Sequence, residues 1–195
     1  MSEIQDSVIT VALYKFDTLL KKNIDIEGRT VTITGQVNDK MFMNIDSALT
    51  LLEQQTSEDK PNEPITVRIM SEGGYTYSAF AIIGRFARSK CPINTEAYGY
   101  VMSAATLIFA SGKKRSISAD CVFMVHQASY NVDGKHKDVV NYVQQANVEE
   151  MQMAECMARR SNKDSQYWLK VFKRGMDKYL TASEVVLLGV ADEVF

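Results

Sequence analysis

The sequence predicts an α/β fold, because segments with the pattern of β-strands alternate with segments that have helical spacing. Thr30 to Val37 alternates β-branched residues, which is typical of a strand. Ile65 to Met70 has the same character and runs into a glycine pair, Gly73 and Gly74, that we expect to form a tight turn. Between the two strands, apolar residues recur at roughly helical spacing from Met41 to Gln54. This alternation favours a parallel-rich sheet with right-handed crossovers.

The same pattern continues towards the middle of the chain. Further elements are expected, in chain order, as a helix at Tyr75–Arg88 and strands at Ile93–Ala97, Arg115–Ser118 and Cys121–Val125. The run without charges between Glu96 and Lys113 is shorter than the ~20 residues of a membrane span, so it predicts a buried helix. The polar segment 56–64 contains two prolines and is expected to be a surface loop.

Beyond Lys137 the chain becomes helical. A long helix is predicted at 138–160, with an apolar stripe that is interrupted at Asn147. The stripe consists of Val140, Val143, Met151, Ala154 and Met157. A second helix is expected at 164–174. Thr181 and Glu184 form a capping-box pattern that predicts a short helix ending at Gly189, and residues 190–195 are expected to add a strand.

These elements predict a single domain with two parts. The core comprises about residues 16–136 and 175–195, and a helical handle comprises about 137–174. Residues 1–15 form a separate N-terminal segment. The length of 195 residues suits one domain of this size.

Composition excludes several classes of protein. There are 22 basic and 24 acidic residues and no long block of like charge, so neither nucleic acid nor a membrane is expected as a partner. Cys91, Cys121 and Cys156 are widely spaced without a C-x-x-C motif, which argues against a disulfide framework or a zinc site. The start of the sequence has no signal-peptide pattern and the cysteines suit a reducing compartment, so we expect a cytoplasmic protein. We expect no metal and no cofactor.

The two histidines limit the choice of a general base. His136 lies between two lysines in a segment that we expect to be an exposed loop. His126 follows the apolar strand 122–125, and rigid backbone at a strand end can hold a side chain at the rim of a pocket. The alternative is that His126 is a core histidine hydrogen-bonded to backbone.

A hydroxyl group lies at a second strand end. One strand ends near Gly99, and a helix of small and apolar residues begins near Ser103. At such a junction, free N–H groups and the helix dipole favour an oxyanion, as in a nucleophile elbow. The alternative is that Ser103 is only the N-cap of a buried helix.

The glycine pair completes a set of three strand ends. Gly73 and Gly74 let a ligand approach the backbone closely, although a plain tight turn is the alternative. Because parallel strands gather their carboxyl ends at one edge of a sheet, the glycines, Ser103 and His126 are expected to converge. A nucleophile, a base and oxyanion donors are what acyl transfer requires.

Five motifs in this order resemble ClpP, the proteolytic subunit of the Clp protease. They are Thr34-Gly35-Gln36-Val37, Ser71-x-Gly73-Gly74, Gly99-x-x-x-Ser103-Ala104, Val122-x-Met124-Val125-His126-Gln127 and Asp177-Lys178-Tyr179-Leu180-Thr181-Ala182-Ser183-Glu184. The resemblance covers about Phe16 to Phe195. Glu72 and Ala128 stand where the family usually has proline, and 130–134 replaces its usual glycine pair.

The resemblance implies a role for each candidate residue. Ser103 is expected to be the nucleophile, His126 the base and Asp177 the residue that orients the imidazole. Residue chemistry alone does not choose Asp177 over three other aspartates, Asp120, Asp133 and Asp192. The backbone N–H groups of Gly74 and Ala104 are implied as the oxyanion hole. Substrate binding is implied for Gly73, Tyr75 and Gln127.

The resemblance also implies an architecture and partners. The expected fold is the crotonase-like fold of repeated β-β-α units with a protruding helical handle. The expected activity is that of a serine endopeptidase on unfolded polypeptides. Its chamber would be two stacked heptameric rings, a tetradecamer, fed by an AAA+ unfoldase such as a Clp ATPase.

Other functions remain open on the same residues. One is a specialised viral scaffold or maturation protease of the same fold. Another is a crotonase-fold enzyme that acts on CoA thioesters, and a third is a non-catalytic ring subunit.

Overall fold

The computed structural model describes residues 2–55 and 62–195, with the backbone alone for residues 2–9. Most of the predicted surface loop, residues 56–61, lies outside the described residues. The helices are α1 (Ser2–Lys22), α2 (Asp39–Glu53), α3 (Thr76–Ala87), α4 (Ala104–Ala110), α5 (His136–Ala158), α6 (Ser165–Phe172) and α7 (Ala182–Leu187). The strands are β1 (Ile24–Asp25), β2 (Thr30–Val37), β3 (Ile65–Gly74), β4 (Ile93–Met102), β5 (Arg115–Ile117), β6 (Val122–Val125), β7 (Lys178–Leu180) and β8 (Glu193–Val194).

The strands form one mixed sheet in the order β1-β2-β3-β4-β5-β8. Strands β2, β3, β4, β5 and β8 pair in parallel, and β1 is antiparallel to β2. A short branch leaves this path, since β6 pairs in parallel with β4 and β7 pairs antiparallel with β6. The parallel-rich α/β prediction is therefore confirmed.

Strand β4 is longer than predicted because it changes partners along its length. Residues 95–97 pair with β5, and residues 100–102 pair with β6. Gly99 lies between the two stretches at φ +56°, a conformation that a residue with a Cβ seldom adopts. The predicted end of this strand at Ala97 was wrong, because the glycine bends the strand without ending its pairing.

Strand β3 also runs further than predicted. It continues through the glycine pair, where Gly73 and Gly74 pair with Gln36 and Val37 of β2 after a shift in register. The predicted tight turn is wrong, because both glycines lie in the sheet. Strand β3 ends at Gly74, and α3 begins two residues later at Thr76.

The charge-free run is half strand and half helix, so the prediction of a buried helix holds only for its second part. All seven residues of α4 are buried. Phe109 of α4 meets Phe123 of β6 edge to face, with ring centroids 5.9 Å apart. The helix behind Ser103 is thus fixed by the core on every side.

The two halves of α5 have different surroundings. Its carboxyl-terminal half packs on the core through Met153, Ala154, Cys156 and Met157, which are all buried. Its first half is exposed, and the predicted apolar stripe is not buried there, since Val140 and Val143 are exposed. His136 is exposed as expected, but it opens the helix and does not lie in a loop.

The carboxyl-terminal segment follows the prediction closely. The capping box between Thr181 and Glu184 is confirmed at the start of α7, and Glu193–Val194 adds a strand beside β5. Within the part of the chain that the structure describes, no helix combines the length and the apolar character that crossing a bilayer requires.

Candidate active site

Ser103 lies between β4 and α4 in a strained conformation, with φ +53° and ψ −130°. Its N–H donates to the Met124 carbonyl at 2.8 Å, and its carbonyl accepts the Thr106 hydroxyl at 2.7 Å. The side chain makes no capping hydrogen bond, so the alternative of a simple N-cap does not describe it. The backbone holds the residue while its Oγ stays free for another partner.

The end of β3 packs directly on this turn. Gly73 has φ +95°, and a Cβ at this position would lie 2.6 Å from the Ser103 Cβ and 3.0 Å from the Ala104 nitrogen. Its N–H donates to the Ser71 hydroxyl at 3.1 Å. Gly73 therefore permits the close approach of two backbones, and its own donor is already engaged.

His126 faces Ser103 at the end of β6. Its Nε2 lies 2.7 Å from the Ser103 Oγ, which is the distance of a good hydrogen bond. The parallel pairing of β4 with β6 explains the contact, because Met102 and Met124 are in register and both strands end together. Within the described residues the ring makes no bond to backbone, so His126 is not a core histidine of the alternative kind.

Asp177 lies next to the other ring nitrogen of His126. Strand β7 runs antiparallel to β6 with Lys178 opposite Val125, and this register places Asp177 beside His126. Its Oδ1 is 3.4 Å from Nδ1, and half of its side chain is exposed. Asp192, by contrast, is held by Arg115 at the far edge of the sheet.

The backbone donors predicted for an oxyanion lie at two element ends. Ala104 is the first residue of α4, so its N–H has no partner inside the helix. Gly74 is the last residue of β3 and lines the same cleft as Ser103.

The cleft beside Ser103 and His126 has a volume of about 420 Å³. Tyr75 lines it, as predicted for a substrate-binding residue, and α5 forms another wall. Gln127 is not among the lining residues, and its side-chain amide donates to Glu150 at 2.6 Å.

Sequence reasoning missed two polar residues in this cleft, Glu149 and Tyr130. The Tyr130 hydroxyl is buried beside the Glu149 carboxylate, and within the described residues it forms no hydrogen bond of ordinary geometry. Burial, and then the charge of Glu149, raise the pKa of Tyr130 well above its ordinary value, so the phenol stays protonated. One feature of the sequence could have pointed to Glu149. It belongs to a pair of adjacent glutamates, Glu149 and Glu150, in the half of α5 that packs on the core.

Two comparisons relate the chain to known proteins. The family model described as Clp protease matches residues 18–195. A single-residue mutant of ClpP1 from Listeria monocytogenes is similar in structure, with a TM-score of 0.77 and 22% sequence identity. That match covers 87% of this chain and 92% of the Listeria chain. The predicted ClpP fold is thereby confirmed.

Proposed function

Because the chain belongs to the Clp protease family and is a serine-type endopeptidase, we propose that it cleaves unfolded polypeptides through Ser103, His126 and Asp177. The observation that carries the assignment of these residues is the 2.7 Å contact between the Ser103 Oγ and the His126 Nε2. A serine hydroxyl within hydrogen-bonding distance of an imidazole nitrogen is the pair that nucleophilic acyl transfer uses.

In the first step, the Ser103 Oγ attacks the carbonyl carbon of the substrate while His126 Nε2 takes the hydroxyl proton. The proton then passes from Nε2 to the leaving amine as the C–N bond breaks, which leaves an acyl-serine. Water attacks this ester with His126 again as base, and Ser103 recovers its proton. Asp177 would orient the ring and stabilise its charged form.

The developing negative charge needs donors near the attacked carbonyl. We assign this role to the backbone N–H groups of Gly74 and Ala104. Each such donor is worth about 3 kcal/mol of transition-state stabilisation. An extended peptide lying near Gly74 and His126 would be held by main-chain hydrogen bonds, which suits a protease of broad sequence tolerance.

We further propose that the chain assembles into two stacked heptameric rings in the cytoplasm and receives substrate from an AAA+ unfoldase. Family membership supports this proposal, and so does the exposed first half of α5. Val140, Val143 and Val148 leave more than two fifths of their surface exposed there, at 42%, 53% and 49%. A second subunit would cover this apolar face.

The Ser103→Ala variant tests the catalytic assignment. Peptide hydrolysis should fall by about 10⁴-fold or more while the circular dichroism spectrum stays unchanged. Ser111→Ala is the matched control, because Ser111 lies at the other end of α4 and its hydroxyl donates to the Leu107 carbonyl. Retention of wild-type hydrolysis in the Ser103→Ala variant would remove the assignment.

Light scattering tests the assembly separately. Fourteen chains of 21.9 kDa give a mass of about 307 kDa, and this is the expected value. A mass of one chain would contradict the chamber. Degradation of an unfolded protein, with and without an added Clp ATPase and ATP, then measures the dependence on an unfoldase.

A further inference from the structure

The part of the cleft wall that α5 forms contains a carboxylate without a counter-charge. Glu149 is only 5% exposed, yet it lines the cavity that holds Ser103 and His126. Among the described residues no cation pairs with it, and its polar neighbour is the protonated Tyr130 hydroxyl, which lies beside the carboxylate without forming a hydrogen bond of ordinary geometry. A phenol does not neutralise the charge, and burying a carboxylate without a counter-charge is costly unless something that enters the cavity supplies one.

The neighbouring glutamate shows the contrast. Glu150 is equally buried, at 4% exposure, but it accepts a hydrogen bond from Gln127 and does not line the cavity. Gln127 thus supplies a hydrogen-bond partner for Glu150, whereas Glu149 borders the cavity beside Ser103.

The rest of the lining suits a cationic side chain. Four tyrosines face the cavity, and their ring faces attract cations while accepting an aliphatic stem. They are Tyr75, Tyr77, Tyr130 and Tyr142. Glu72 adds a second, exposed carboxylate, and no lysine or arginine of the described chain lines this space.

We propose that Glu149 makes the enzyme select polypeptide segments that carry arginine or lysine beside the scissile bond. This inference rests on the proposed function, because it assigns the cavity next to Ser103 to a substrate side chain. The guanidinium or ammonium group would pair with the Glu149 carboxylate, with the tyrosines along its stem.

The test uses internally quenched peptides in which one position near the cleaved bond holds arginine or its neutral isostere citrulline. Wild-type kcat/KM should be at least tenfold higher for arginine at one of these positions, and mass spectrometry of the products identifies that position. In Glu149→Gln the arginine-to-citrulline ratio should fall towards one. In the control Glu150→Gln the ratio should stay near the wild-type value.

The rate of Ser103 labelling by a fluorophosphonate shows that each variant retains a folded site. A wild-type ratio near one overturns the proposal, as does a ratio that survives in Glu149→Gln or falls equally in both variants. If no peptide is cleaved and Ser103 is not labelled, the proposed function fails and the inference fails with it. Cleavage without a basic preference removes the inference alone.

Discussion

The two contacts of His126 are built differently. On the Ser103 side, two parallel strands of the core end in register, a buried helix follows, and the contact measures 2.7 Å. On the Asp177 side, a half-exposed carboxylate lies just before a three-residue antiparallel strand, and the contact measures 3.4 Å. Rigid backbone therefore positions Ser103 and His126, the proposed nucleophile and base, whereas Asp177, the proposed orienting residue, is held less firmly. Catalysis should depend more steeply on the first contact than on the second.

The largest effect should come from removing the base that both contacts share. His126→Ala should lower kcat/KM by about 10⁴-fold or more, because among the described residues only His126 is hydrogen-bonded to the Ser103 Oγ and placed to take its proton. Steady-state peptide hydrolysis measures the loss. His136→Ala is the control, since His136 is exposed at the start of α5. Equal losses in the two variants would contradict the assignment of His126.

The next effect acts on the Ser103 side through packing alone. Gly73→Ala puts a Cβ 2.6 Å from the Ser103 Cβ at a positive φ, so it should displace the turn that carries the nucleophile. We expect hydrolysis to be nearly lost and the free energy of unfolding to fall by about 1–3 kcal/mol. Urea denaturation and hydrolysis together measure both effects.

Gly84→Ala is its control, because Gly84 lies in α3 and a Cβ there would meet nothing within 4 Å. This helix position should gain up to about 1 kcal/mol of stability from alanine. If Gly73→Ala were as active as Gly84→Ala, the close approach of β3 to Ser103 would have no catalytic role.

A smaller effect is expected on the other side of the ring. Asp177→Asn should lower kcat by about 10- to 10³-fold, less than His126→Ala, because its contact is long and half exposed. Asp192→Asn is the control, since Asp192 is held by Arg115 away from the cleft. A loss in Asp177→Asn as large as in His126→Ala would contradict the expectation that catalysis depends less on the Asp177 contact than on the Ser103 contact.

The smallest expected effect is on the free energy of unfolding and comes from the contact between Asp192 and Arg115, away from the cleft. Burial opposes ionisation of Asp192, but hydrogen bonds from Arg115 outweigh it and hold the pKa of Asp192 below its ordinary value. A depressed carboxyl pKa adds stability above the unfolded pKa of about 4, and this part is lost as the pH falls further. Since the side chain is 39% exposed, we expect under ~1 kcal/mol.

Urea midpoints at pH 6 and pH 3.5 measure this contribution. The decrease between the two should be smaller in Asp192→Asn than in the wild type. An equal decrease would mean that the Arg115 contact carries no net stability.

The sequence predicted the elements whose residues carry a local signal. The strand at Thr30–Val37 has the predicted bounds because its alternating β-branched residues suit a pleated, half-buried strand. The capping box at Thr181 likewise depends on two side chains three residues apart. Ser103 and His126 were chosen because parallel strand ends share one edge.

The remaining features depend on contacts between distant segments. From the sequence, Gly73 predicts a tight turn and Gly99 a strand end, but their neighbours in the sheet keep both within strands. Asp177 faces His126 because of the register between β6 and β7, and no local sequence pattern predicts that register. The apolar residues Val140 and Val143 follow helical spacing, yet the core does not extend to them.

The most direct measurement is the rate at which a fluorophosphonate acylates the wild-type protein and the His126→Ala variant, with the modified residue located by mass spectrometry. We predict one adduct, on Ser103, and a rate at least 10³-fold lower in His126→Ala. An adduct on a different residue, or an unchanged rate without the imidazole, would contradict a Ser103 nucleophile activated by His126.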